Sequence, residues 1–336
     1  MDLARSIANR VVFLHLGRIE EEGTVDEVFG ATRSQRLRQF LNAGKPLVAP
    51  SLPPFPCPPG PDGRPLEVHV PVTIDASGRS ALAAKRNHWR RPDPYLNKVA
   101  LWTYFRGAAR DTGIDEGTTT VAYIPEKGWF WYIPLPDDVV SVGVVAEREY
   151  LFRETNDLES IYWREVRNNA WIEQHLQSGE RIEEFRITKE YSYRSEYSAA
   201  DGLVLVGDAF AFLDPVFSSG VYLALRGGEL VGDAVHAALT EGNVSAEGFA
   251  AYAERLCGEI EAMRKLVYAF YDHSFSFGRL IRDHADLACD VTDCLIGNLN
   301  KDFTELFDAV SEQAAIPAPL PHGRPKYGRL SSLTAD

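Results

Sequence analysis

The residues best placed to do chemistry lie in one stretch, GLVLVGDAFAFLDPVFSSGVYLAL, running from Gly202 to Leu225. Leu203-Val204-Leu205-Val206 reads as a short, buried parallel strand. Gly207 permits a sharp turn at its C-terminal end and presents Asp208 where open α/β sheets hold their ligands. An aspartate at that point is a fixed acceptor for donor groups of a ligand. Asp214-Pro215 breaks the chain again. Ser218, Ser219 and Gly220 then lead into a helix whose first amides face an anion or an electron-rich ring edge. A second stretch is Gly128-Trp129-Phe130-Trp131-Tyr132-Ile133-Pro134. Along a strand, Trp129, Trp131 and Ile133 share one face, and Phe130 and Tyr132 share the other. Two tryptophans on one face either wall a flat apolar pocket or fill a sheet core. A third stretch, Thr73 to Ser80, ends an apolar strand in Asp75-Ala76-Ser77-Gly78, a polar turn.

These residues need elements to hold them. Lys98–Phe105 opens a strand series that continues through Thr118–Ile124, Gly128–Leu135, Val139–Val145 and Ile182–Tyr193. The connections at 125–127 and 136–138 are short enough for antiparallel hairpins, which predicts one broad sheet with an aromatic face. Leu158–Gln177 reads as an exposed helical insertion rich in charge and amide. A long helix is predicted from Ser219 to Leu239, and mostly helix from Ala246 to Gln313. The segment 317–336 reads as a loose tail. The fold class is therefore α/β (α+β), with an antiparallel sheet and a helical C-terminal region.

Upstream the composition changes. Ten of the 20 prolines fall between Pro46 and Pro71, so 45–71 reads as a polyproline-type linker. Before it, Arg10–Leu16 and Arg18–Glu22 read as a hairpin. Thr24 is placed to cap a short helix, and Arg33–Leu41 forms a second.

Composition excludes whole classes. Lys+Arg 35 against Asp+Glu 48 gives a net charge of −13, which disfavours nonspecific attraction to nucleic acid or an anionic membrane. No apolar run approaches the roughly 18 residues of a membrane span, and the opening MDLARSIANR is not a secretory signal. A cytoplasmic, reduced protein is expected. The four cysteines are too scattered for a disulfide or zinc framework, and the eight histidines show no H-x-x-x-H spacing, so no metal site is expected.

Taken in order, the three chemical stretches resemble the FAD-dependent halogenases, with group-A flavin monooxygenases and geranylgeranyl-type reductases as wider relatives. The resemblance covers 72–323. Trp129-x-Trp131-x-Ile133-Pro134 matches the family's W-x-W-x-I-P motif, and Phe212, Pro215, Ser218 and Gly220 match F-x-x-P-x-x-S-x-G. It implies that Asp75, Gly207, Asp208, Pro215, Ser218, Ser219 and Gly220 contact FAD. Asp208 would lie by the ribityl–phosphate region, and the Ser219 and Gly220 amides by the flavin ring, where halogenases bind halide. Trp129 and Trp131 would line the passage between flavin and substrate. Tryptophan-acting members carry a glutamate where this chain has Phe217, which favours a phenolic or pyrrolic substrate, or no halogenation at all.

The chain also departs from that pattern. No G-x-G occurs in the 336 residues, so the fingerprint for the FAD pyrophosphate is absent. None of Lys98, Lys127 or Lys189 stands where the family carries its catalytic lysine. The expectation is an FAD-binding fold without its N-terminal dinucleotide-binding unit, incomplete as a single chain. Its implied partners are a small-molecule or carrier-bound substrate, and a flavin reductase or a chain supplying the FAD domain. Residues 1–44 resemble instead the C-terminal end of a polar amino-acid ABC transporter ATP-binding subunit, through ARSIANRVVFLHLGRIEEEGTVDEVF and RLRQFL. No phosphate loop accompanies it. The rival readings are a non-catalytic remnant or partner-binding module, and a fragment of an ABC ATPase.

Overall fold

A computed structural model of the chain describes residues 11–15, 18–30, 33–34, 69–124, 128–189, 192–299 and 301–328. The chain divides into two units, 1–48 with 69–71 and 49–68 with 72–336.

In the first unit, β1 (Val11–His15) and β2 (Arg18–Gly23) form the expected antiparallel hairpin. Thr24 opens the helix Val25–Gly30 with a reciprocal cap. Its hydroxyl accepts from the Glu27 amide at 3.4 Å, and Glu27 Oε2 accepts from the Thr24 amide at 2.8 Å. Most of the predicted second helix, and the proline-rich stretch up to residue 68, lie outside the described residues.

The second unit is built on β-branched and aromatic runs that form strands. After β3 (Thr73–Asp75) and β4 (Arg90–Pro92) come β5 (Lys98–Arg106), β6 (Thr120–Ile124), β7 (Gly128–Leu135) and β8 (Val139–Glu147). With β9 (Glu180–Arg181) and β10 (Arg186–Lys189) they make one antiparallel sheet, ordered β10-β5-β8-β7-β6, with β9 alongside β5. The β7–β8 hairpin turns through Asp137 and Asp138, both at positive φ. In its register Trp131 lies opposite Gly143, and a Cβ there would come within 2.2 Å of the Trp131 ring. Glycine at 143 is what lets that indole lie across β8.

One face of this sheet carries Phe105, Phe130, Tyr132, Val140, Val142 and Val144. The helices Leu158–Arg167 and Ala170–Leu176 cover it. This corrects the expectation of an exposed insertion at 158–177. Ile161, Tyr162, Val166, Ile172 and Leu176 are buried on the sheet, and the buried Glu165 carboxylate is paired with Arg153 at 3.0 Å and Arg164 at 2.8 Å. The two helices break at Asn168-Asn169, where the Asn169 side chain caps the second by accepting from the Ile172 amide at 3.0 Å.

The predicted strand 182–193 also divides. β10 stays in the large sheet, while β11 (Tyr193–Ser195) joins β4 and β14 (Ala211–Phe212) in another. A third sheet holds β12 (Ala199–Ala200), β13 (Leu203–Leu205) and β3, with β13 and β3 parallel and β13 fully buried as expected.

The helices Gly220–Glu241 and Ala250–Tyr271 follow, then shorter ones to Ser311. Residues 317–328 are pinned rather than loose. Arg264, almost fully buried, pairs with Asp93 at 2.9 Å and Glu261 at 3.2 Å and donates to the Ala318 carbonyl at 3.2 Å. The Leu320 amide donates to Glu261, and Gly323 and Lys326 donate to the 196 and 199 carbonyls. A tail with few apolar residues is held here because it satisfies buried charge.

Candidate functional site

The parallel pairing of β3 with β13 sets Asp75 beside Leu205, so both strand ends open at one corner. The buried Asp75 carboxylate is already committed. Its oxygens accept from the Ser77 amide at 3.0 Å and the Ala83 amide at 2.7 Å, and its carbonyl accepts from the Val206 amide at 3.0 Å. Asp75 braces the loop after β3.

At the end of β13 the chain turns through Gly207, at φ +58°, where a Cβ would sit 3.4 Å from that of Ala224. A left-handed residue pressed on a helix favours glycine for both reasons. Asp208 follows. Its carbonyl accepts from the Tyr193 hydroxyl at 2.7 Å. Its half-buried carboxylate meets no hydrogen-bond donor among the described residues. Burial raises its pKa, and the Arg79 guanidinium partly offsets that.

The next turn begins at Asp214, which is fully buried. Its carboxylate accepts from the Val216 amide at 3.1 Å and from the Tyr271 hydroxyl at 2.9 Å. Burial pushes its pKa up to about 6, against the lowering effects of Tyr271, the Val216 amide and Lys98. Pro215–Phe217 forms a single 3-10 turn closed by Ser218, which adopts φ +53°. A serine in the left-handed region is a local strain that the surrounding packing must hold. Ser219 is buried, and its carbonyl accepts from the Leu223 amide at 2.9 Å. Its own amide has no acceptor among the described residues. Gly220, exposed, begins a helix of 22 residues.

Trp129 and Trp131 come to the Asp214–Phe217 turn from the large sheet. Strand alternation puts them on the face opposite Phe130 and Tyr132, as the sequence predicts. There they pack in one cluster with Phe212, Val216, Phe217, Val267, Phe270 and Tyr271. Their rings lie 6.0 Å apart, and Trp102 lies 6.1 Å from Trp131. Trp131 donates to the Ser141 hydroxyl at 3.1 Å. Trp129 donates to the Tyr271 hydroxyl at 2.8 Å, and Tyr271 in turn donates to Asp214. One proton-ordered chain therefore ties sheet, helix end and turn together.

The structure thus gathers the expected residues in three places. Asp75, Gly207 and Asp208 share the strand-end corner. Pro215, Ser218, Ser219 and Gly220 lead into the long helix, and Trp129 and Trp131 face that turn. Sequence reasoning missed Tyr271 and Trp102, weighed Lys98 only against the family's lysine and set it aside, and took Asp214 only as a chain break. Tyr271 stands 142 residues from Trp129 and has no local spacing to reveal it. Asp214 carried a weak signal, an acidic residue inside the apolar run Phe212-Leu213-x-Pro215-Val216.

Comparison with known proteins supplies the context. The family model described as tryptophan halogenase matches residues 61–276. A 1H-pyrrole-2-carbonyl-(peptidyl-carrier protein) chlorinase of Pseudomonas fluorescens is 26% identical over 250 residues, 73% of this chain and 54% of that protein. The corresponding brominase of Pseudoalteromonas luteoviolacea is 29% identical, over 63% of this chain and 53% of that protein. The chain spans about half the length of these curated relatives. Among solved structures, a triple mutant of a flavin-dependent brominase aligns with a TM-score of 0.67 at 26% identity, covering 75% of this chain and 64% of that one. The myxobacterial chondrochloren halogenase, an FAD-dependent enzyme, gives 0.59 at 29% identity, covering 76% and 63%.

Proposed function

The chain belongs to the tryptophan halogenase family, and from that premise we propose that it forms the substrate sheet and one half of the flavin site of an FAD-dependent halogenase or monooxygenase. The observation that carries this reading is Asp208, a half-buried carboxylate without a donor at the end of a buried parallel strand. A group that accepts only and lacks a protein donor suits the hydroxyls of a ribityl chain. The Ser219 and Gly220 amides, at the positive end of a long helix, suit the pyrimidine edge of the flavin or a halide ion. Asp75 acts one step back, by bracing the loop beside them.

When bound, reduced FAD supplies activation of O2, and through it oxidation of halide or substrate. The chain's own residues bind, orient and exclude water. Asp208 anchors the hydroxyl chain, and the two amides fix one ring edge. Trp129 and Trp131, held by Tyr271 and Ser141, form a dry wall that keeps substrate and flavin apart. With no G-x-G in the chain, the pyrophosphate contacts are assigned to a separate dinucleotide-binding unit, and reduced flavin to a reductase partner. The substrate is a phenol or pyrrole, free or carried on a protein. Phe217, where tryptophan-acting members carry a glutamate, supports that choice, as do the two carrier-dependent relatives.

A second reading is a non-catalytic partner-binding module. One experiment separates the two. The chain is combined with the dinucleotide-binding unit of a related halogenase, FAD, a flavin reductase with NADH, bromide, and either phenol or a pyrrolyl carrier protein. Flavin retained through gel filtration and a brominated product by mass spectrometry support the enzyme. Assembly with no retained flavin overturns it.

A further inference from the structure

A second concave region lies where β5, β6, β7 and β8 end against the C-terminus of the Ala250–Tyr271 helix. It is a cavity of about 210 Å³ lined by Lys98, Tyr123, Phe270, Tyr271, Phe275 and Glu147, among others. Lys98 is the unusual member, since it is only 4% exposed. Its ammonium donates one hydrogen bond, to Glu147 Oε1 at 3.3 Å, and lies 4.2 Å from the Tyr271 ring centroid. An ammonium has three donors, and buried charge is normally fully hydrogen-bonded. Among the described residues no second acceptor reaches it. The remaining donor capacity belongs to a side chain that lines the cavity.

We propose that this cavity binds a neutral single-ring aromatic bearing one hydroxyl or ring N–H, with its polar edge on the Lys98–Glu147 pair and its ring among Tyr123, Phe270, Tyr271 and Phe275. Size admits one ring, since about 210 Å³ exceeds the space a single aromatic ring needs. Charge supports a neutral ligand. Lys98 and Glu147 balance each other, while Asp214 and Asp272 nearby disfavour an added anion. Asp272 is itself occupied, accepting from the Ser274 amide at 2.9 Å and the Ala315 amide at 3.1 Å. The ion pair offers a donor and an acceptor side by side, which is what a phenol or pyrrole needs. Tyr271 lines the cavity and holds the Trp129 indole, so an occupant bears directly on the wall facing the corner. That this ligand is the substrate rests on the proposed function; that it binds does not.

The test uses the full chain without flavin. Phenol and benzene are titrated separately into wild type and Lys98→Met, with binding read by calorimetry and by tryptophan emission. Phenol is expected to bind wild type with a change in emission, and to weaken at least about tenfold in Lys98→Met, the loss of one charge-assisted hydrogen bond. Benzene is expected to bind both alike. Should Lys98→Met fail to fold, Glu147→Gln on the exposed side gives the same comparison. Absence of phenol binding to wild type, or equal phenol affinity in the folded variant, overturns the inference. Phenol binding in a chain whose assembled form retains no flavin would keep this site and remove the enzymatic reading.

Discussion

The two faces of the large sheet are drawn from the same strands yet do opposite work. Under the helices 158–176, Phe105, Phe130, Tyr162 and Val140, Val142 and Val144 of β8 are buried in one apolar cluster. Its tyrosine hydroxyls end on backbone carbonyls, Tyr162 on Val142 at 3.2 Å and Tyr132 on Ala109 at 2.6 Å. Toward the corner, alternate residues of the same strands meet Lys98, Asp214, Tyr271 and a cavity. Apolar burial stabilises the first face, and its few polar groups are paired within the protein, Glu165 with Arg153 and Arg164. The second face gives up part of that stabilisation to hold charge and space where a ligand can use them. Strand period alone assigns each residue to a face, while the covering elements decide what each face is for.

The largest expected effect breaks the apolar face. Phe130→Ala should cost about 3–5 kcal/mol by urea denaturation. A cost below about 1 kcal/mol would mean that this face is not the stabilising one. Phenol affinity of the still-folded variant should stay unchanged, which keeps the two faces separable.

On the other face, Asp214 should make stability depend on pH in the direction opposite to a paired carboxylate. Its pKa rises to about 6 on folding, from an ordinary carboxylate value of 3.8. Between these values the native state binds the proton more tightly than the unfolded chain. Stability from this group therefore falls as pH rises from about 4 to 6, by on the order of 3 kcal/mol. Asp214→Asn should flatten that slope in urea midpoints measured from pH 4 to 7.5. A slope identical to wild type would place the carboxylate in water.

Tyr271→Phe should cost about 1–3 kcal/mol, because it orphans both the Trp129 N–H and one oxygen of Asp214. Tryptophan emission should shift with it. Tyr162→Phe, which removes a hydroxyl bonded only to a carbonyl, should leave emission unchanged. Equal spectra for the two variants would dissolve the distinction between the faces.

The smallest effect on stability belongs to Asp208→Ala, within about 0.5 kcal/mol, since its carboxylate has no partner to lose. In the reassembled flavin-binding form the same change should weaken FAD by about 1–3 kcal/mol. Flavin affinity that does not move would remove Asp208 from the site.

Local geometry made much of this protein legible in its sequence. The alternation of Trp129, Phe130, Trp131 and Tyr132 assigns faces because side chains on a strand alternate. The run Leu203–Leu205 before Gly207-Asp208 declares a buried strand with a turn, and Thr24 with Glu27 declares a helix start. Composition misled where it averaged the two faces of the helices within 158–177, and where a polar tail at 317–328 was held by buried charge. What only the tertiary structure decided is which distant groups meet. Trp129 reaches Tyr271 across 142 residues, and Tyr271 reaches Asp214 across 57. Asp75 turned inward as a brace while Asp208 kept its acceptors free, although both are acidic residues at strand ends. No spacing encodes those outcomes. They follow from closing the Ala250–Tyr271 helix against the sheet, which buries polar atoms that must then find partners in each other.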